Sequence, residues 1–240
     1  MLVCGIERVK WEKIMGNYKM TKQEKWKTIA TAEILKKKSI GYQSVTSVIN
    51  ARPNRGLEKW RKELGEDVAN FEMKRCAERG LKVHLMIEEY FMTKYKHLYS
   101  SDENSMPTSH RSDSVLANGL FMNMLGYLEM IDDIVFIETE LYSDTYKIHG
   151  RVDCIAKIKG YKHDEGYLAV IDFKTSNLPK QSIKDNYGVQ LCAYAVMYNE
   201  MFNENIENIV LISADETGGS QMIRRDIKKF MPTFEEWFVF

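Results

Sequence analysis

Two aspartates and a lysine carry the chemistry that this sequence can perform. The segment 167–174 reads YLAVIDFK. Period-two alternation puts Leu168, Val170, Asp172 and Lys174 on one strand face and Tyr167, Ala169, Ile171 and Phe173 on the other. Both faces stay apolar to the strand's end, so the strand is expected to be central. An aspartate and a lysine at such an end are costly to bury unless something compensates them. The segment 148–158, IHGRVDCIAKI, predicts a neighbouring strand. Alternation there places Arg151, Asp153 and Ile155 on one face and Val152, Cys154 and Ala156 on the other. Joined through GYKHDEG as a symmetric hairpin, with 158 opposite 167, the two segments bring Asp153 opposite Asp172. Their Cβ atoms would then lie ~5 Å apart. Facing carboxylates repel, and a hard divalent cation with oxygen ligands resolves the repulsion. An isolated D-x-K is more often a local ion pair at a strand edge; the facing Asp153 shifts the reading towards a site. A slip of one residue would separate the pair.

The elements that position these residues follow from the rest of the pattern. Residues 57–64 predict a short helix, 66–98 helix on either side of Gly80, and 115–130 another helix. Residues 99–114 hold six serines and a proline and read as a loop. Strands are expected over 134–142, 147–158, 167–174, 208–214 and 220–227, with a helix over 187–202. The Ser/Thr cluster in Gly41–Asn50 suits the start of a helix. Helices, then strands, one helix and more strands make an α+β chain with a mainly antiparallel or mixed sheet.

Composition sets outer bounds. The 240 residues carry 34 Lys+Arg and 34 Asp+Glu, a net charge of zero that by itself argues against a nucleic-acid binder. The charge is unevenly spread. Residues 1–38 hold ten basic and four acidic side chains and read as a partly helical, mobile basic extension over 1–40, ahead of one domain over 41–240. Within that domain, 41–130 is the helical part and 131–240 the sheet. No stretch approaches the ~20 apolar residues of a membrane span, and the N-terminus does not look like a secretory signal. Cys4, Cys76, Cys154 and Cys192 are scattered, without CxxC spacing, which fits an intracellular, reducing location and no iron–sulfur or zinc site.

The ordered set Gly150-Arg151-Val152-Asp153, then Ile171-Asp172-Phe173-Lys174-Thr175-Ser176, then Gln190-Leu191 with Tyr194 resembles the PD-(D/E)xK nucleases of the RecB-like branch. Gly80-Leu81-Lys82-Val83-His84 is similar to the helix that brings a histidine to the metal in that branch. With Ser44-Val45-Thr46-Ser47-Val48 and Trp60, the likeness is greatest to the mitochondrial genome maintenance exonucleases and their phage relatives. It spans roughly residues 43–198. The chain departs from the iron–sulfur subtype, because no cysteine follows Cys192. It also lacks a GxxxxGK[ST] phosphate loop, so it is not itself a helicase.

The resemblance implies a restriction-endonuclease-like core, with a central mixed sheet flanked by helices and a helical N-terminal half. It implies one or two Mg²⁺ or Mn²⁺ ions held by His84, Asp153, Asp172 and the Phe173 backbone carbonyl. Glu88 or Glu140 is a further candidate ligand, and Glu140 is preferred over Glu138. Lys174 would stabilise the transition state, Gln190 would bond a phosphate or the attacking water, and Tyr194 would orient Lys174. Arg151, Thr175, Ser176, Ser44 and Thr46 are candidate phosphate contacts; Trp60, Tyr90 and Phe91 are candidates for base stacking. The implied activity is a metal-dependent DNA exonuclease with single-strand preference, in replication, recombination or repair. It would be a monomer that meets replication or recombination proteins, in a bacterial or phage-infected cytoplasm or in the mitochondrial matrix. The alternatives are a structure-selective endonuclease with the same site and a DNA-binding recombination accessory with a decayed one.

Overall fold

The computed structural model describes residues 22–95, 112–160, 165–176 and 182–239. Expectations for residues 1–21, for most of the serine-rich loop and for the tip of the 160–166 turn lie outside the described residues. In chain order the elements are α1 (Lys22–Ser39), β1 (Gln43–Ser44), α2 (Val45–Asn50), α3 (Arg55–Leu64) and α4 (Glu66–Lys94). Then come α5 (Val115–Leu128), β2 (Ile131–Ser143), β3 (Ile148–Ile158) and β4 (Tyr167–Lys174). The chain continues through α6 (Asp185–Phe202), β5 (Asn208–Ala214), β6 (Ser220–Asp226) and α7 (Met231–Phe238).

The strands form one six-stranded mixed sheet in the order β1-β3-β4-β5-β6, with β2 also paired to β3. The pairs β1–β3 and β4–β5 are parallel; the other three are antiparallel. β4 is central, as its two apolar faces require. On one side α4 and α5 cover it, with Val83, Ile87, Phe91, Leu120 and Met124 packed over Cys154, Ile171, Phe173 and Val210. On the other, α6 and α7 bring Leu191, Tyr194 and Phe234 against Val152, Ile155, Val170 and Leu211. Each core is continuous across several strands, so the sheet is rigid where the polar residues emerge.

Several local features have simple causes. Helix α5 starts at Ser114, whose side chain accepts from the Ala117 N–H, and α3 at Asn54, which accepts from Leu57 N–H. α6 stops at Asn203, in the left-handed conformation at φ 53°. α4 runs unbroken through Gly80 rather than pausing there. A Cβ at that position would lie 3.4 Å from the Thr175 hydroxyl, so the glycine keeps the helix close to the end of β4. α1 packs against β2, the outer strand, with Ala30 and Ile34 buried in the α6-side core.

The hairpin register is the symmetric one: Ile158 pairs with Tyr167, and the ladder runs to Cys154 opposite Ile171. One step further puts Asp153 opposite Asp172. Strict alternation within β3 does not hold. Val152 belongs to the α6-side core and Cys154 to the α4-side core, so they do not share a face, and Ile155 joins Val152. The phase changes at Asp153. On β2 the same change falls between Ile137 and Leu141, around Glu138, whose φ of 45° is left-handed. That conformation is uncommon outside glycine and rolls both strands together at this level.

Candidate active site

Three neighbouring strands each contribute one carboxylate at the same level of the sheet. Glu138 of β2 stands between the pairs Ile137–Cys154 and Thr139–Val152, hence opposite Asp153 of β3. Asp153 in turn lies one residue beyond the last β3–β4 pair, Cys154–Ile171, and continuing that register brings it to Asp172 of β4. Like charges directly opposite one another destabilise a sheet, so the row needs cations around it. Among the described residues the chain supplies three. The Arg151 guanidinium Nε lies 3.3 Å from Glu138. The Lys174 ammonium lies 2.7 Å from Asp172. From α4, His84 Nδ1 lies 3.4 Å from Glu138 and 3.6 Å from Asp153.

The backbone completes the arrangement. Phe173 N–H donates to Asp153 at 3.1 Å, and the Phe173 carbonyl lies 3.0 Å from His84 Nε2. Burial works against a charged His84 ring, yet Asp153, Glu138 and Asp172 outweigh it and hold the ring up at about 9. Burial pushes the Asp172 carboxyl up to about 6, with Lys174 opposing and Asp153 reinforcing the rise. Burial also works against the Lys174 ammonium, but Asp172 and Asp153 win, and its affinity for the proton is raised.

This donor set fits a divalent metal. One ligand atom each from His84, Glu138 and Asp153 lies within 4.8 Å of the others. Octahedral bonds of ~2.1 Å put adjacent ligands ~3.0 Å apart. His84 Nδ1 lies near that separation from both Glu138 and Asp153, at 3.4 and 3.6 Å. Asp172 is outside the three-residue group, its carboxylate engaged by Lys174. A cleft of about 390 Å³ opens over the cluster, lined by Ala77, Gly80, Leu81, His84, Leu85, Glu88, Glu138, Arg151 and Asp153.

The other residues singled out in the sequence fall at varying distances. Tyr194, buried on α6, accepts a hydrogen bond from Gln190 Nε2 at 3.1 Å and senses Asp153, Asp172 and Glu140 electrostatically. Burial first, and then these carboxylates, push its phenol up. Gly150 makes room for the ring, since a Cβ there would come within 2.8 Å of it. Lys174 also lies 5.1 Å from the Tyr187 ring centre. Glu88 lines the cleft but is paired with Lys27 of α1 at 3.1 Å. Glu140 pairs across the ladder with Arg151 and lies on the Tyr194 side, so Glu138 is the glutamate that the fold brings to His84. Thr175 and Ser176 follow β4, the Thr175 carbonyl accepting from Arg79 at 2.8 Å.

Two groups stand apart from the cluster. The Ser44 and Thr46 hydroxyls bond each other at 2.8 Å where β1 meets α2. Ser44 pairs with His149, four residues or ~13 Å of strand from Asp153. Trp60 lies half-buried on α3 and does not line the cleft. Phe91 is not available for stacking on bases. It is fully buried in the α4-side core, against Tyr90 at 5.2 Å between ring centres. Glu138 was legible by the same symmetry that found Asp153: pairing 143 with 148 across the preceding turn puts 138 opposite 153.

Comparison with known proteins bears on the family and the fold. Residues 55–221 match the model of the PD-(D/E)XK nuclease superfamily. The human mitochondrial genome maintenance exonuclease 1 is 26% identical over 157 residues, covering 63% of this chain and 41% of that protein. The chain thus spans about two fifths of the length of that relative. A structure titled "Crystal structure of SSO0001" aligns with 66% of this chain and 74% of its own at 18% identity, with a TM-score of 0.27.

Proposed function

The chain belongs to the PD-(D/E)XK nuclease superfamily, and from that premise we propose that it is a metal-dependent exonuclease acting on DNA, with preference for single-stranded ends. The observation that carries the metal-dependent part is the row Glu138–Asp153–Asp172 across three strands, with His84 brought to it by α4 and Lys174 beside it. A structural role does not call for aligned carboxylates, whereas metal-assisted phosphodiester hydrolysis uses them to hold the ion. The exonuclease part is supported by the relative's name, and the substrate part by the family.

In this reading His84, Glu138, Asp153 and the Phe173 carbonyl would hold the ion, with Asp172 a further carboxylate that would be available to it. Mn²⁺ serves as well as Mg²⁺, because one donor is an imidazole nitrogen. When bound, the ion supplies Lewis-acid stabilisation of the phosphate and activates a water. The side chains do the rest. Lys174, already charged, lies where it can meet the negative charge that develops on the phosphate. Gln190 hydrogen-bonds Tyr194; in this reading Gln190 bonds a phosphate or the attacking water and Tyr194 orients Lys174. Arg151, exposed at the cleft, holds an adjacent phosphate. Thr175, Ser176, Ser44 and Thr46 are weaker phosphate contacts, and Trp60 is a contact for a strand extending along α3. The reading includes an intracellular location and a monomer. Among the described residues no helix is long and apolar enough to cross a membrane.

End-labelled linear and closed circular DNA, single- and double-stranded, with Mg²⁺ or Mn²⁺, test this reading. Metal-dependent release of label from linear single strands, with circles spared, is expected. Circles cut as fast as linear strands would make the protein an endonuclease. DNA binding without cleavage under any metal would make it a recombination accessory.

A further inference from the structure

Arg79 stands on α4 five residues before His84 and is buried, with 8% of its surface exposed. A guanidinium so placed is costly unless both arms are paired. One arm donates to the Thr175 carbonyl at 2.8 Å, and the other is ion-paired with Glu216 in the turn after β5. Arg75, one turn earlier, also reaches Glu216 at 3.6 Å and Glu72 at 2.7 Å. One side chain therefore joins α4, the end of β4 and the β5–β6 turn.

Thr175 directly follows Lys174, so α4 touches the backbone of 173–175 twice: through His84 at Phe173 and through Arg79 at Thr175. The two contacts differ in kind. A ring nitrogen that gives its lone pair to a cation has no proton left for the Phe173 carbonyl, so ligation through Nε2 and that hydrogen bond exclude each other. The Arg79 bond competes with nothing that a cation needs.

Resting on the metal-dependent reading above, we infer that Arg79 is a positioning residue. It sets the spacing between His84 and the Asp172–Lys174 strand end, so that the donor atoms stand at cation-binding separation before the ion arrives. The forked guanidinium reaches the Thr175 carbonyl and the Glu216 carboxylate in two fixed directions, which a lysine ammonium does not reproduce. Holding ligands in place from outside the ligand set is worth about 10–100-fold in metal affinity.

Calorimetric titration with MnCl₂ alone, without DNA, tests this on the wild type, Arg79→Lys, Arg79→Ala and Glu216→Ala, alongside thermal melting. Arg79→Lys is expected to melt as the wild type does and to bind Mn²⁺ about tenfold more weakly. Arg79→Ala is expected to bind more weakly still, and added guanidinium to restore part of the affinity. Should the alanine variant not fold, Arg79→Lys and Glu216→Ala carry the test, the latter with a smaller loss in the same direction. Unchanged Mn²⁺ affinity in folded Arg79→Lys and Glu216→Ala overturns the inference, because a purely structural role would move only the melting temperature. A wild type that binds no Mn²⁺ overturns the metal-dependent reading itself, and this inference with it.

Discussion

The site has two halves that differ in how they handle charge. His84, Glu138 and Asp153 face the cleft with 25%, 16% and 14% of their side chains exposed. Asp172 is 2% exposed and already neutralised by Lys174. The open half is a set of donors that gains from an added cation. The closed half is an ion pair made before any substrate comes, and its cost of burial has been met by folding. The difference teaches that one acidic row can serve two purposes, because the sheet buries one end of it and the helix α4 leaves the other end accessible.

The largest expected effect tests whether the halves act together. Asp172→Asn and Asp153→Asn should each reduce cleavage of labelled single-stranded DNA by roughly 10³-fold, the several kcal/mol that a metal contributes. A variant of either that retains activity would detach that half from the chemistry. Stability should then separate the halves. Lys174→Met leaves Asp172 buried without a partner and is expected to cost about 3–5 kcal/mol in urea unfolding. The loss should be smaller at pH 5 than at pH 8, since the isolated carboxyl can take a proton. Glu138→Gln should change stability by less than about 1 kcal/mol, as an accessible pair does, but weaken Mn²⁺ binding markedly by calorimetry. A large stability loss in that variant would erase the distinction. The smallest effect concerns the packing behind the closed half. Gly150→Ala pushes a methyl into the Tyr194 ring and should cost about 1–3 kcal/mol, with a modest loss of turnover.

What the sequence disclosed follows the same division. The closed half was legible from local pattern, since D-x-K at the end of an apolar strand names its own partners. The register was legible as well, because a short symmetric hairpin leaves few alternatives. In the open half Asp153 was legible from the register and His84 from the resemblance, and the choice of Glu138 over Glu140 was the part that pattern left open. Alternation put Glu138 and Glu140 on one face, and nothing in a residue type announces that Glu138 will adopt a positive φ. That turn of the backbone also changes the face of Val152 relative to Cys154, which period-two reading cannot foresee. Arg79 was missed because a lone arginine on a helix reads as solvated, and only tertiary structure shows it reaching Thr175. α7 is eight residues long, too short for a helical period to stand out, though Phe234 and Phe238 are buried four apart.

The contact between α1 and β2 has a practical consequence. β2 is thirteen residues long, pairs on one side with β3, and has α1 against it. A chain trimmed to begin at Gly41 would bare Phe136 and Leu141, which share a core with Ala30 and Ile34. Exposed apolar patches recruit other chains. Such a truncated protein is expected to self-associate or precipitate on expression even with every residue of the acidic row in place.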